Sequence, residues 1–582
     1  MHRTWLFVRR FLMGLALLAG SLLLPAAAEE ATTPGGAAAV SAATAIPPPP
    51  AIVTASGAAA NPLKPRIIKG TADHSKFDIL KKPFASGPEV TAACLTCHTE
   101  ASKQVMGSIH YSWTFDNKAT GQKLGKRYTL NSFCGNVGAN EPRCTSCHAG
   151  YNFTDVRLGP PQNETAVDCL VCHDTSGQYA KLDNAAGNPA LAPVPEKAKT
   201  ITGALAKPSN LTAAALSVGG PRLENCGQCH FNGGGGDNVK HGDLSSALYA
   251  ADTHVDVHMA SKDNHGQGMM CSTCHKQEAH QWHGSRYAPT AAQAPDRHKP
   301  GAPRTASTCE SCHGNTPHKG ESVVGMKLND HTDRVACQTC HIPTFAKGGV
   351  ATKTLWDWST AGKLKDGKPI QEDGYHQGNG KPRDTYLSTK GTFAWGEEVK
   401  PHYAWFNGTT HYVTDSDVID PKQPLAMNWI DGAANDPASR IHPFKLMHGK
   451  QAYDTELNHL LYNQVYGPKT DTAFWTNFSY DKSLKAAMDY MGKPYSGKYG
   501  FVETTMLWPI THMVAKKDEA LKCTACHAPQ GVLASLGGFY MPGREPLSWV
   551  NLAGLFLIFA TLAGVGIHAL GRLISSRRRS KQ

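Results

Sequence analysis

Eight times in 582 residues, two cysteines stand three apart with a histidine directly behind the second. The sites are Cys94, Cys97 and His98; Cys144, Cys147 and His148; Cys169, Cys172 and His173; and Cys226, Cys229 and His230. Then follow Cys271, Cys274 and His275; Cys309, Cys312 and His313; Cys337, Cys340 and His341; and Cys523, Cys526 and His527. They use sixteen of the seventeen cysteines. About 0.02 copies are expected by chance at this composition, so the spacing is the signature of covalent c-type haem. Two thiols add to the vinyl groups of one haem, and the adjacent histidine reaches its iron. Paired cysteines for zinc do not demand a histidine after every pair. A thioredoxin-like redox pair would need a βαβ pattern around it.

Eight covalent haems constrain the fold more than any other feature. Gly (56) and Pro (37) are frequent and long amphipathic periodicity is scarce, so the haems are expected to form much of the core. The expected class is a mainly α and irregular multihaem cytochrome c with few strands, short helices and loops wrapping eight haem c groups, and one C-terminal transmembrane helix. Neighbouring motifs predict haems close in space, as an electron wire. From Pro343 to Lys522 there is no motif, yet this stretch holds seven of eleven tryptophans, Trp356 to Trp508. It predicts a packed substructure, with Tyr453 to Met491 as its most helical part.

Both ends point to a membrane. Residues 1–28 read as a signal peptide, with a basic start, an apolar run from Phe11 to Leu24 and small residues before Glu29. Residues 29–70 are an Ala- and Pro-rich tether that cannot bury a core. The haem domain (haems 1–7) is placed at 71–345, the Trp-rich segment packed on it at 346–505, and haem 8 with its linker at 506–546. Residues 547–571 are the anchor, since Trp549 to Leu570 meets the ~20 apolar residues a bilayer needs. The tail 572–582 carries Arg572, Arg577, Arg578, Arg579 and Lys581 and is expected in the cytoplasm. The main body is then expected on the periplasmic face of a bacterial inner membrane. A formal charge of +11 fits a small inorganic anion as substrate and gives no reason to expect nucleic acid. A quinol-linked membrane protein or soluble cytochrome is the expected redox partner, and a homo-oligomer is compatible with the sequence.

An electron-transfer haem normally takes a second histidine, which closes the iron to substrate. The candidates are His74, His110, His258, His283, His318, His331, His448 and His512, each near a motif or in a Gly- or Pro-rich approach. One thiol, Cys134, is left without a cysteine partner ten residues before the second motif, either reactive or a small buried apolar group. The loop Phe231-Asn-Gly-Gly-Gly-Gly-Asp237-Asn-Val-Lys240 follows the fourth motif directly. Its glycines permit close backbone approach, and Asp237 and Lys240 would share a face on a helical turn.

Taken together, these features resemble the octahaem tetrathionate reductase family: eight motifs, a cysteine before the second, and a Gly-rich Asp-x-x-Lys after the fourth. The runs Asp330-His331-Thr-Asp-Arg-Val-Ala-Cys337 and Phe444-Lys-Leu-Met-His448-Gly-Lys-Gln451 resemble it too. The resemblance covers roughly residues 70 to 530. It implies one catalytic haem, that of Cys144, Cys147 and His148, with Lys240 as its lysine ligand, Asp237 as acidic neighbour and Cys134 as active-site thiol. The implied reaction is reduction of tetrathionate to thiosulfate, or its reverse, with electrons relayed by the other haems. Reduction of nitrite or hydroxylamine is the alternative chemistry. A membrane-tethered electron conduit without a substrate is the alternative without chemistry. The C-terminal anchor departs from the soluble periplasmic pattern of the family.

Overall fold

The computed structural model describes residues 71–130, 135–287, 308–314, 316–467, 470–545 and 548–579. The expected signal peptide, the tether and Cys134 lie outside the described residues. Each motif sits on, or at the end of, a helical turn. In most, the histidine N–H returns to the carbonyl of the first cysteine, as in His98 to Cys94 (2.9 Å), His275 to Cys271 (2.8 Å) and His527 to Cys523 (2.8 Å), whereas His148 of the second motif donates to Thr145 O (2.9 Å). A turn of helix sets side chains three apart on one face, which is what a cysteine pair bonding one ring requires.

The helices are short and capped by the residues their sequences supply. Helix α1 (Gly87–Leu95) starts at Ser86, whose Oγ accepts the Glu89 N–H, and Pro88 occupies its first turn. Helix α2 (Leu223–His230) carries the fourth motif. Helix α3 (Val323–His331) is capped by Ser322 and ends on His331. Helix α4 (Tyr480–Met491) buries Tyr480, Ser483, Leu484, Ala487 and Met488, an i, i+3, i+4, i+7, i+8 stripe, and stops at Gly492 with φ +64°. The expected helical stretch from Tyr453 thus shrinks to α4 and the short turn Phe474–Asn477.

The expectation of few strands is corrected by an eight-stranded sheet. Its strands are β1 (Thr352–Asp357), β2 (Gln371–Glu372), β3 (Tyr386–Leu387), β4 (Gly391–Gly396), β5 (His402–Phe406), β6 (Leu425–Ala426), β7 (Arg440–Asp454) and β8 (Tyr499–Pro509). The order is β6-β8-β7-β1-β4-β3-β2, with β5 paired to β7. β7 and β8 run antiparallel from Phe444↔Pro509 to Asp454↔Tyr499. Sequence alternation is muted because β7 is buried on both sides through most of its length. Trp356, Phe393, Met447, Met506 and Trp508 from this sheet pack with Leu484 and Met488 of α4 in the largest apolar cluster.

Helix α5 (Ser548–Arg579) continues through the basic residues expected to lie beyond the anchor. Among the described residues it is the one helix long and apolar enough to cross a membrane, over Trp549–Ser576. Its Leu552, Phe556 and Ile567 are exposed among the described residues.

Candidate functional site: the paired histidines and the loop behind the fourth motif

Six motif histidines face a second histidine at a nearly constant spacing. The ring centroids are 6.2 Å apart for His98 and His74, 6.1 Å for His230 and His110, and 6.1 Å for His275 and His512. They are 6.1 Å apart for His313 and His258, 6.3 Å for His341 and His318, and 6.1 Å for His527 and His331. Two imidazoles sharing one metal, each with a metal–nitrogen bond of about 2 Å, place their centroids about 6 Å apart. The residues therefore fit bis-histidine haem. Several of the second ring nitrogens are held as well, though Nδ1 of His74 and of His110 meets no partner among the described residues. Nδ1 of His331 meets Lys327 O (2.6 Å), Nδ1 of His527 meets Pro542 O (2.8 Å), and Nδ1 of His512 meets Asp243 Oδ2 (3.0 Å). Such contacts orient a ring so that Nε2 is left for a metal. The motif cysteines stand in pairs, one pair at each site, as two thioether bonds to one ring require.

Two of the nominated histidines are not brought to a motif histidine. His448 is exposed on β7, on the strand face opposite Lys445 and Met447. His283 contributes its backbone, as its carbonyl oxygen meets Nδ1 of His275 at 3.0 Å. His280, which sequence reasoning passed over, lies within electrostatic range of His173, and its Nδ1 is held by Gln104 Oε1 at 2.9 Å. The signal available was the run from His275 to His283, with three histidines in nine residues.

The second motif is different. His148 is fully buried, with Nε2 2.6 Å from Tyr111 O, and it faces no histidine at the 6 Å spacing among the described residues. Tyr111, Trp113 and Phe153 surround its ring at centroid distances of 4.6, 5.6 and 4.7 Å. Burial pushes its pKa down to about 3, so the ring is neutral. Lys181 and Asp168, both fully buried, form a 2.9 Å ion pair behind it. The Lys181 ammonium donates to the carbonyls of His148 and Gly187 (2.5 and 2.7 Å), while Tyr151 and Tyr179 donate to Asp168 (3.0 and 2.6 Å).

The Gly-rich loop reaches this region. Lys240 lies close enough to act electrostatically on the Cys147 thiol, together with Lys126 and Lys181. Gly234 and Gly235, at φ +80° and +96°, give the loop turns that other residues adopt with strain. Its position is fixed from the sheet. Lys445 on β7 donates to Val239 O (2.9 Å), Lys240 O (3.0 Å) and Thr352 Oγ1 (2.7 Å), and Thr352 on β1 donates to Asn238 O (2.7 Å). The Asp237 carboxylate accepts the N–H and hydroxyl of Ser246, so it braces the loop. Lys240 Nζ lies 5.1 Å and the Arg286 guanidinium 4.5 Å from the Trp508 ring on β8, with His241 edge-on to the same ring at 5.1 Å. Arg286 and Trp508 carried no signal in the sequence, since they reach the loop from distant stretches of the chain, whereas His241 follows Lys240 directly.

A solved octaheme cytochrome c from Shewanella oneidensis matches 82% of this chain and 98% of its own length, at 37% identity and a TM-score of 0.67. The chain belongs to its family. It is a multihaem c-type cytochrome, built for electron transfer or redox chemistry. Family patterns agree along its length: bacterial cytochrome c at residues 353–530, and cytochrome c554 and c-prime at 93–174 and 270–342. An uncharacterized protein of Archaeoglobus fulgidus is 21% identical over 272 residues, which is 36% of this cytochrome and 80% of that protein.

Proposed function

We propose that this cytochrome carries eight haem c groups and is an oxidoreductase reducing tetrathionate to thiosulfate, or running the reverse, at its second motif. The observation that supports this most is the contrast between six paired histidines and His148, which faces no histidine among the described residues and lies near the loop of Lys240. His148, whose Nε2 would exchange Tyr111 O for the metal, and Lys240 would hold the iron there, and His280 would complete the third site opposite His173. Bound haem supplies electrons, and at the second motif an iron open to ligand exchange. The chain's own residues hold the anion with Lys126 and Arg286, and enclose the proximal ring with Tyr111, Trp113 and Phe153. Asp237 and Lys445 keep the loop in register. Cys134 is the proposed thiol for attack on the central sulfur–sulfur bond, by the logic of thiol–disulfide exchange.

The last motif is the proposed side of contact with a membrane-embedded redox partner. Pro542, which holds His527, is followed by α5 within six residues, so the chain limits their separation to about 20 Å. In this reading α5 anchors the cytochrome, with its main body outside the cytoplasm. A pure electron conduit is favoured by the same tether and by the six closed pairs. Voltammetry of the protein on an electrode, with tetrathionate, thiosulfate, nitrite and hydroxylamine added in turn, separates the readings. A catalytic current with tetrathionate or thiosulfate, lost in Lys240→Leu, is the expected result. A current with nitrite or hydroxylamine alone transfers the site to nitrogen chemistry, and intact haem signals with no current favour the conduit.

A further inference from the structure

Arg286 is in an unusual position for a guanidinium. Nη2 donates to the Tyr287 hydroxyl at 2.5 Å, and the group lies over the rings of Tyr287 (4.5 Å), Tyr412 (5.6 Å) and Trp508 (4.5 Å). Nη1 is enclosed and has no hydrogen-bond partner among the described residues. None of the charge partners that act on Arg286 is a carboxylate. A buried donor left unsatisfied costs about 1–3 kcal/mol, more when it is charged, so a fold that keeps one generally meets an acceptor from outside. The surroundings select that acceptor. Lys240 shares the Trp508 ring with Arg286, and His241 lies edge-on to the same ring.

We infer that Arg286 is the anion-holding residue of the site, donating through Nη1 to an oxygen of a sulfur oxyanion. The inference deepens the proposed function and rests on it for the location of the site. Guanidinium suits this task because its planar fork meets paired oxygens and it never loses its charge. Tyr412 and Trp508 keep water from the donor, so the contact forms in a medium of low polarizability, where it is worth more than at the surface. An uncharged substrate such as hydroxylamine gains nothing from it. Arg286 is therefore the residue that selects oxyanions over neutral nitrogen compounds.

The test is calorimetric titration of the oxidised full-length cytochrome with thiosulfate and, separately, with sulfate. The unaltered protein is expected to bind thiosulfate. Arg286→Gln is expected to weaken binding by about tenfold or more, the loss of one charge-assisted contact, and Arg286→Lys by about threefold. Haem content and melting temperature are checked for both variants. If Arg286→Gln is poorly loaded with haem, Arg286→Lys carries the test. No thiosulfate binding by the unaltered protein, or equal binding by well-loaded variants, overturns the inference. Turnover with tetrathionate is measured in parallel to separate the two claims. Arg286-dependent binding without turnover removes the proposed reaction and leaves the anion site standing, whereas turnover indifferent to Arg286→Gln does the opposite.

Discussion

At the scale of single residues, buried charge shapes this molecule. Lys181 and Asp168 are wholly enclosed, and their ion pair ties the carbonyl of His148 to the residue just before Cys169. One pair thus positions both the second and the third motif. Replacing Lys181 with Met removes one partner and leaves Asp168 a buried, uncompensated carboxylate, despite its tyrosine donors. The expected loss is about 3 kcal/mol or more in chemical denaturation, since breaking a buried pair costs more than the pair contributes. A loss under 0.5 kcal/mol would show that the tyrosines alone satisfy Asp168. Neither partner was legible in the sequence, because a lysine eight residues after one motif and an aspartate before it look like ordinary surface charges. The motif cysteines and histidines were legible, because covalent chemistry fixes their spacing within five residues. Facing histidines were half legible. Composition near each motif pointed to His74, His110, His258, His318, His331 and His512, while pairing each with its motif depends on contacts as distant as His331 with His527.

At the scale of elements, the long strands do the positioning that short helices cannot. β7 delivers Lys445 to the Gly-rich loop and turns His448 outward, a consequence of the two-residue period of a strand. Lys445 in the family-like run from Phe444 to Gln451 thus clamps the loop, while His448 of the same run faces no motif histidine among the described residues. β7 was unreadable as a strand because burial on both sides removes the alternation that marks one, whereas β8 alternates in burial but carries Phe501 and Leu507 on its less buried face, which hides the period in the sequence. Helix α4 was legible where its apolar stripe is regular, and its boundary follows from Gly492. At φ +64°, with open space around a Cβ built there, Gly492→Ala meets backbone strain and no clash. It is expected to lower stability by about 1 kcal/mol without changing haem content. A loss of several kcal/mol would mean that the turn has partners beyond its backbone.

For the whole molecule, the cysteines show how the motifs are strung together, their thiols standing for the thioether sulfurs of the loaded protein. Cys94 neighbours Cys169, Cys147 neighbours Cys229, Cys226 neighbours Cys271, and Cys309 neighbours Cys337. Cys172 acts on Cys226, Cys312 on Cys274, and Cys526 on Cys340. The motifs thus follow one another in space as first, third, fourth, fifth, sixth, seventh and eighth, and the second branches from the fourth. Sequence spacing alone suggested simple succession; folding places the second motif off the line, where the Lys240 loop reaches it. A branch outside a closed series is where exchange with a substrate interferes least with conduction. Electron paramagnetic resonance of the oxidised full-length protein, with and without added nitrite or thiosulfate, tests this most directly. The account predicts that one low-spin haem changes its signal while the paired-histidine signals stay unaltered, and that the change disappears in Lys240→Leu. Spectra in which no haem responds, or in which several do, would contradict it.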